Sequence, residues 1–307
     1  MKTLPLLFST DTYRYLLEDI ARRGRFDIGE VFTKRFPDGE FYQRIEGDVS
    51  ERNVVLVGGT VSDSDTLALY DLACALVKYG ANSLNIVIPY FAYSTMERAT
   101  KPGEVITAKS RARLLSSIPS AAQGNRVILM DLHSEGLPYY FEGSIVATHL
   151  YAKPVILEAC RRIGGDHFVL ASTDAGRAKW VESLANDLGV DAAFVFKRRL
   201  DGRRTELTAM NARVEGANVL IYDDMIRTGG SLINAARAYK QAGARAISAI
   251  ATHGIFPENA LDRIQNSGLF DHVVVTDTHP TAVRLKNGFL QVESVAGVFS
   301  DWLKEHL

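Results

Sequence analysis

The sequence predicts an α/β protein of two tandem domains, each with a mostly parallel sheet flanked by helices. Three observations predict it. Short β-branched and apolar runs alternate with helical patterns along all 307 residues. The runs are nearly continuously apolar, as expected of strands covered on both faces. The alternation also occurs twice, one set of runs ending near residue 131 and another beginning near 168. A chain of 307 residues suits two domains of roughly 150 residues each.

The clearest strand candidates are 54–57, 84–91, 127–131, 168–172, 192–196, 219–222, 246–252 and 273–276. Between them, Leu69, Leu72, Ala73 and Leu76 recur at i, i+3, i+4 and i+7, with Asp63 placed to cap the helix and Gly80 to stop it. Leu232, Ala235, Ala236 and Tyr239 repeat that spacing, and Gly243 ends the run. A helix over 150–163 bridges the two halves. The expected boundaries are 1–147 for the first domain, 148–298 for the second and 299–307 for a terminal helix. The stretch 198–216 is polar, holds five arginines and lacks periodicity, so it reads as a basic insert without regular structure, the kind usually kept for function.

Composition narrows the function. A net charge of −1 gives no electrostatic case for a nucleic-acid or anionic-membrane partner. No apolar run reaches the ~18 residues a membrane span requires, and no N-terminal segment reads as a signal peptide. Cys74 and Cys160 lie on apolar helical patterns and are expected to be buried structural thiols. A cytoplasmic enzyme is the expectation.

The chemistry concentrates in Val219-Leu220-Ile221-Tyr222-Asp223-Asp224-Met225-Ile226-Arg227-Thr228-Gly229-Gly230-Ser231. An apolar strand leads into two adjacent carboxylates, then a short loop with two glycines, then a helix opening near Ser231. Ligands of open α/β sheets bind at the carboxyl ends of strands. A helix N-terminus offers unpaired N–H groups and partial positive charge, which suits a phosphate. Glycines let backbone approach it, Thr228 and Ser231 add hydroxyl donors, and Asp223 and Asp224 suit vicinal sugar hydroxyls. The string therefore describes a phosphate beside a polyol. A Gly-x-x-x-x-Gly-Lys-[ST] loop is absent, which excludes a P-loop kinase. Gly58-Gly59-Thr60 offers a weaker second anion turn.

The string resembles the loop shared by phosphoribosyltransferases and ribose-phosphate diphosphokinases (PRPP synthases). Other motifs point to the diphosphokinases. Phe36-Pro37-Asp38-Gly39-Glu40 resembles that family's early ATP-base loop. Pro89-Tyr90-Phe91, Asp131-Leu132-His133, Ser172-Thr173-Asp174-Ala175-Gly176, Lys197 with Arg199, and Thr252-His253-Gly254 follow in the family's order. The resemblance implies two phosphoribosyltransferase-type domains. It implies transfer of a diphosphoryl group from ATP to ribose 5-phosphate, with Mg²⁺ as cofactor, in a homo-oligomer. It implies that Phe36, Asp38, Glu40, Arg98 and His133 bind ATP. Asp174, Asp223, Asp224, Thr228, Gly229, Gly230 and Ser231 then bind ribose 5-phosphate. Lys197 and Arg199 stabilise the transition state, and Asp131, His133 and Asp174 hold the metal. The terminal helix is expected to pack back on the first domain.

Gly103-Glu104-Val105, Ser116-Ser117-Ile118-Pro119 and Thr252 through Pro257 are similar to class II members known from plants. Arg227 stands where class I carries an acid, and Thr95-Met96 where class I carries Arg-Gln, whereas Lys109 is class I-like. Class II character implies a broader range of nucleoside triphosphates and little allosteric control. The alternatives are a phosphoribosyltransferase that consumes PRPP and a non-catalytic regulatory relative.

Overall fold

A computed structural model describes residues 3–165, 167–173, 175–201, 204–210 and 214–307, with backbone alone for 175, 195–201 and 204–210. The chain divides into two units, Met1–Tyr151 with Ala296–Leu307, and Ala152–Val295. The division falls past the expected 147 because a strand, Ile145–Leu150, completes the first sheet.

The first unit runs β1 (Leu6–Ser9), α1 (Arg14–Arg23), β2 (Asp27–Ile28), β3 (Glu30–Arg35), β4 (Phe41–Glu46), β5 (Asn53–Val57), α2 (Asp63–Lys78), β6 (Ser83–Ile88), α3 (Thr107–Ser116), β7 (Asn125–Met130) and β8 (Ile145–Leu150). Among the described residues its sheet has the order β2-β1-β5-β6-β7-β8, parallel throughout. β3 and β4 form a separate antiparallel hairpin. In α2 the predicted stripe Leu69, Leu72, Ala73 and Leu76 is fully buried. Its cap is Ser62, one residue before the expected Asp63; the Ser62 hydroxyl accepts from the Asp65 amide. β6 ends at Ile88, ahead of the expected 91, because Pro89 has no N–H to continue the ladder.

The second unit runs α4 (Lys153–Gly164), β9 (Phe168–Ser172), α5 (Ala178–Leu188), β10 (Asp191–Ala193), β11 (Val195–Asp201), β12 (Arg204–Met210), β13 (Asn218–Ile226), α6 (Gly230–Gln241), β14 (Ala246–Gly254), α7 (Ala260–Asn266), β15 (Val273–Thr276), α8 (Pro280–Leu285) and β16 (Leu290–Glu293). Its parallel sheet has the order β10-β9-β13-β14-β15-β16. The expected strand 192–196 is two strands, β10 ending at Ala193 and β11 starting at Val195. The basic insert is not irregular: β11 and β12 pair antiparallel, with Arg198 opposite Glu206 in register. A polar run without apolar alternation hides a strand pair from the sequence pattern.

α9 (Ala296–His306) belongs to the first unit and packs on α1. Phe299 and Leu303 on one helix, and Leu16, Leu17 and Ile20 on the other, are all within 1% of complete burial. Among the described residues no helix is long and apolar enough to cross a membrane. Leu303→Ala is expected to cost about 2–5 kcal/mol. Urea unfolding checks this, and a midpoint like the wild type's would show that α9 contributes little to the first unit.

Candidate active site at the carboxyl ends of β9 and β13

β9 is followed by β10 on one side, whereas β13 lies on the other. The order of the sheet therefore reverses between β9 and β13, which opens a crevice at their carboxyl ends. β9 stops at Ser172, opposite Tyr222. β13 continues to Ile226, paired only with β14, where Met225 lies opposite His253 and Ile226 opposite Gly254. Asp223 and Asp224 thus lie within the strand instead of after it, on the stretch β9 leaves uncovered.

Two residues of the turn after β9 reach this pair. The Thr173 hydroxyl donates to Asp223 Oδ2 at 2.9 Å. Arg177 Nη2 lies 2.5 Å from Asp224 Oδ2, with Asp224 only 5% exposed. The Asp224 amide donates to Asp223 Oδ1 at 2.9 Å. Burial pushes the Asp223 carboxyl up to about 8, and its hydrogen bond to Asp224 and that neighbour's charge push the same way. A perturbed acid pair in a crevice at a strand end is what a functional site provides.

The loop 227–231 follows. Its φ of +78° at Gly229 is left-handed, and a Cβ there would stand 2.6 Å from Ile264 Cγ1. Only glycine meets both conditions. From α7, Arg263 Nη2 donates to the Thr228 carbonyl at 3.2 Å, fastening the loop from below. α6 opens at Gly230, and its cap residue Gly229 has no side chain to satisfy the first amides. Arg227, Thr228, Gly230 and Ser231 are exposed, and a Cβ at Gly230 would meet nothing closer than the Thr228 hydroxyl at 3.9 Å. The helix itself is anchored by buried Tyr239, whose hydroxyl donates to the carbonyls of Ser172 and Ala193 at 3.0 and 3.3 Å. An open, rigidly held helix N-terminus beside two carboxyls can receive an anion and a polyol together.

The first unit has the same reversal between β1 and β5, but its turn is filled. Cβ atoms at Gly58 and Gly59 would lie 2.6 Å from Leu69 and 2.4 Å from Tyr13. Ser62 caps α2, and Asp63 and Asp65 occupy its first turn. That end is unsuited to an anion, which corrects the weaker expectation for Gly58-Gly59-Thr60.

Asp131 and His133 share the turn after β7; Asp131 is buried at 7% exposure with a left-handed φ of 39°, and His133 is half-buried. Phe36, Asp38 and Glu40 occupy the exposed tip of the β3–β4 hairpin, where Asp38 Oδ1 accepts from the Glu40 amide at 3.1 Å. Arg98 is exposed and faces Glu97 at 3.5 Å. Asp174 and the side chains of Lys197 and Arg199 lie outside the described residues. The backbone pairs 197 with 207 and 199 with 205 without a bulge between, so both positions fall on one face of the hairpin. β11 runs beside the short turn Ala175–Arg177. Among the described residues no three His, Cys, Asp or Glu side chains converge as a metal cage. His253 is buried with Nδ1 2.9 Å from the Thr278 hydroxyl. Cys160 is fully buried as expected, and burial pushes its thiol up to about 12; Cys74 is only half-buried.

Comparison with known proteins adds the decisive observation. Residues 5–118 match the N-terminal domain of ribose phosphate pyrophosphokinase, and residues 186–296 match the phosphoribosyl synthetase-associated domain. The ribose-phosphate pyrophosphokinase of Fusobacterium nucleatum is 33% identical over 299 residues, covering 96% of this chain and 92% of that protein. The chain belongs to the ribose-phosphate pyrophosphokinase family. The pyrophosphokinase of Thermococcus kodakarensis is 36% identical over 266 residues, covering 87% of this chain and 91% of that one. The fold agrees with the crystal structure of phosphoribosylpyrophosphate synthetase from Mycobacterium smegmatis, with a TM-score of 0.86 over 98% of both chains at 24% identity.

The sequence pattern assigns no role to two members of the crevice, Thr173 and Arg177, although Thr173 lies within the Ser172–Gly176 motif and Arg177 just beyond it. It also missed the support under the Asp131–His133 turn. There His149 Nε2 accepts from the Leu132 amide at 2.9 Å, and Glu135 lies 3.6 Å from His149 Nδ1. No local spacing announces these contacts.

Asp223 yields a prediction about stability. Its carboxyl rises from the ordinary 3.8 to about 8, so the folded state binds that proton more tightly than the unfolded state. Stability from this group is full at low pH and is lost as pH rises through that range. Asp223→Asn removes the titration; its oxygen still accepts from the Asp224 amide, and its NH2 can donate to the Thr173 hydroxyl in turn. It is expected to raise the thermal midpoint near pH 8 by several degrees, each kcal/mol being worth roughly 2–4 °C. The gain should vanish toward acid pH, and a midpoint lowered near pH 8 would contradict the assignment.

Proposed function

We propose that this family member transfers the β,γ-diphosphoryl group of ATP to the C1 hydroxyl of ribose 5-phosphate, giving 5-phosphoribosyl 1-diphosphate and AMP. The observation that carries the reading is the acid pair Asp223–Asp224 beside the uncapped start of α6. The sugar's 5-phosphate takes the amides of Gly229, Gly230 and Ser231 and the hydroxyls of Thr228 and Ser231. Asp223 and Asp224 hold the ring hydroxyls. Asp174, which follows β9 in sequence, completes the ribose side. Similarity to pyrophosphokinases through both units favours a maker of PRPP over a transferase that consumes it.

ATP is the donor, with its base at Phe36, Asp38 and Glu40 and its phosphates at Arg98 and His133. Phe36 is 37% exposed on the hairpin tip, available for stacking. The exposed Phe32, Phe41 and Tyr42 on the same hairpin support self-association of the chain. Mg²⁺ retains several waters and needs few protein ligands, so a buried carboxylate and a nitrogen donor from one turn, Asp131 and His133, fit it with Asp174. When bound it neutralises charge on the donor's phosphates.

The C1 hydroxyl attacks the β-phosphorus in line and releases its proton to water as the new O–P bond forms. The bond from that phosphorus to the α,β-bridging oxygen breaks, and AMP leaves with the oxygen. Lys197 and Arg199, on one face of the β11–β12 hairpin, stabilise the charge that develops. No general base is required, because positioning and charge dominate a loose phosphoryl transfer. Arg227 in place of an acid supports class II character and a wider choice of nucleoside triphosphate. Two free thiols among the described residues suit a reducing cytoplasm.

The test is AMP release from ATP, which should require both ribose 5-phosphate and Mg²⁺. Lys197→Ala should lower kcat by about 10²–10³-fold. AMP formation that needs a nucleobase, or a Lys197→Ala enzyme with wild-type turnover, would overturn the reading.

A further inference from the structure

The turn after β9 meets the two acids of β13 with different donors. Thr173 offers a neutral hydroxyl to Asp223, and Arg177 a guanidinium to Asp224. The second contact is the more demanding. Asp224 is 5% exposed, and a charge so placed is strongly disfavoured without a counter-charge. Arg177 supplies one at 2.5 Å, from a side chain itself only 22% exposed. A planar guanidinium at that distance fixes the direction of the carboxylate as well as its charge.

Arg177 is also anchored where it stands. It is the last residue of the turn Ala175–Arg177 and the cap residue of α5, with β11 alongside. Its backbone is therefore held by a helix start, and its side chain spans from that start to the neighbouring strand. Removing the guanidinium takes away the counter-charge and the directional donor that Arg177 gives the buried Asp224 carboxylate.

We infer that Arg177 is a positioning residue for ribose 5-phosphate, holding Asp224 as a fixed, charge-compensated acceptor for one sugar hydroxyl. The inference rests on the ribose site proposed above. Burial and its neighbour push the Asp223 carboxyl up, while Asp224 faces the Arg177 guanidinium. The two carboxyls thus meet different donors, Thr173 at Asp223 and Arg177 at Asp224, and offer a vicinal diol two unlike partners. A site built around a hydroxyl discriminates against sugars that lack it, and this discrimination depends on the acceptor staying in place.

The test uses the full chain and steady-state kinetics of Arg177→Ala and Arg177→Lys. Arg177→Ala should raise KM for ribose 5-phosphate about 10- to 100-fold, as loss of a charged hydrogen bond does, while KM for ATP stays within about twofold. Its preference for ribose 5-phosphate over 2-deoxyribose 5-phosphate should narrow by roughly tenfold. Arg177→Lys, which keeps the charge without the planar fork, should fall between. Unchanged KM and unchanged sugar preference in a folded Arg177→Ala would overturn the inference. So would equal rises in KM for both substrates with a lowered thermal midpoint, which mark a framework role. If Arg177→Ala does not fold, Arg177→Lys decides: wild-type KM and preference overturn the inference, and a selective rise for the sugar upholds it. A wild-type enzyme that releases no AMP overturns the proposed function and the inference with it. An active wild type beside an unaffected Arg177→Ala overturns the inference alone.

Discussion

β13 runs on to Ile226 after its neighbour β9 has ended at Ser172, and the site is built in the step between them. The step removes one ladder from the last residues of β13 while β14 continues to hold them. Those residues stay extended and rigid, yet one side is open to the crevice. Adjacent acids would be expensive in the middle of the sheet. At the step they meet Thr173 and Arg177 from the turn that β9 makes as it leaves. The residual cost shows in the raised carboxyl of Asp223. Proteins retain such unfavourable groups where chemistry needs them.

The two units follow one topology and diverge at one place. Both reverse strand order between the first sheet-central pair, β1 and β5 or β9 and β13. In the first unit the helix after the reversal starts with a serine cap and two acids, so its amides are satisfied and its field is opposed. In the second unit Gly229 takes the cap position, and Ile264 fills the space a side chain would need. Repetition of the fold is therefore not repetition of the phosphate site. A few side chains at a helix start separate a receptive end from a closed one.

Much of this was legible in the sequence. Strands covered on both faces must be apolar throughout, so β5, β7, β9, β13, β14 and β15 stood out. The stripes of α2 and α6 did so for the same reason. The pattern failed where burial is partial and also at buried β1, whose Leu6-Leu7-Phe8 lacks the β-branched residues that mark the other strands. β2 is an edge strand of two exposed residues, and the β3–β4 and β11–β12 hairpins are polar enough to read as loops. The loop 223–231 was readable because its parts are contiguous and its glycines have few other uses. The contacts from Thr173 and Arg177 were not, because they depend on which strands become neighbours. Strand order is a property of the whole sheet, and no local spacing encodes it.

The central claim is that the start of α6 receives the sugar's phosphate. Backbone amide shifts of the isotopically labelled protein, followed during titration with ribose 5-phosphate and then with ribose, test it most directly. Large shifts are expected at Thr228, Gly229, Gly230 and Ser231 with ribose 5-phosphate, smaller ones there with ribose, and none at Gly58 to Ser62. Shifts that cluster around Gly58 to Ser62, or that are as large with ribose as with its phosphate, would contradict it.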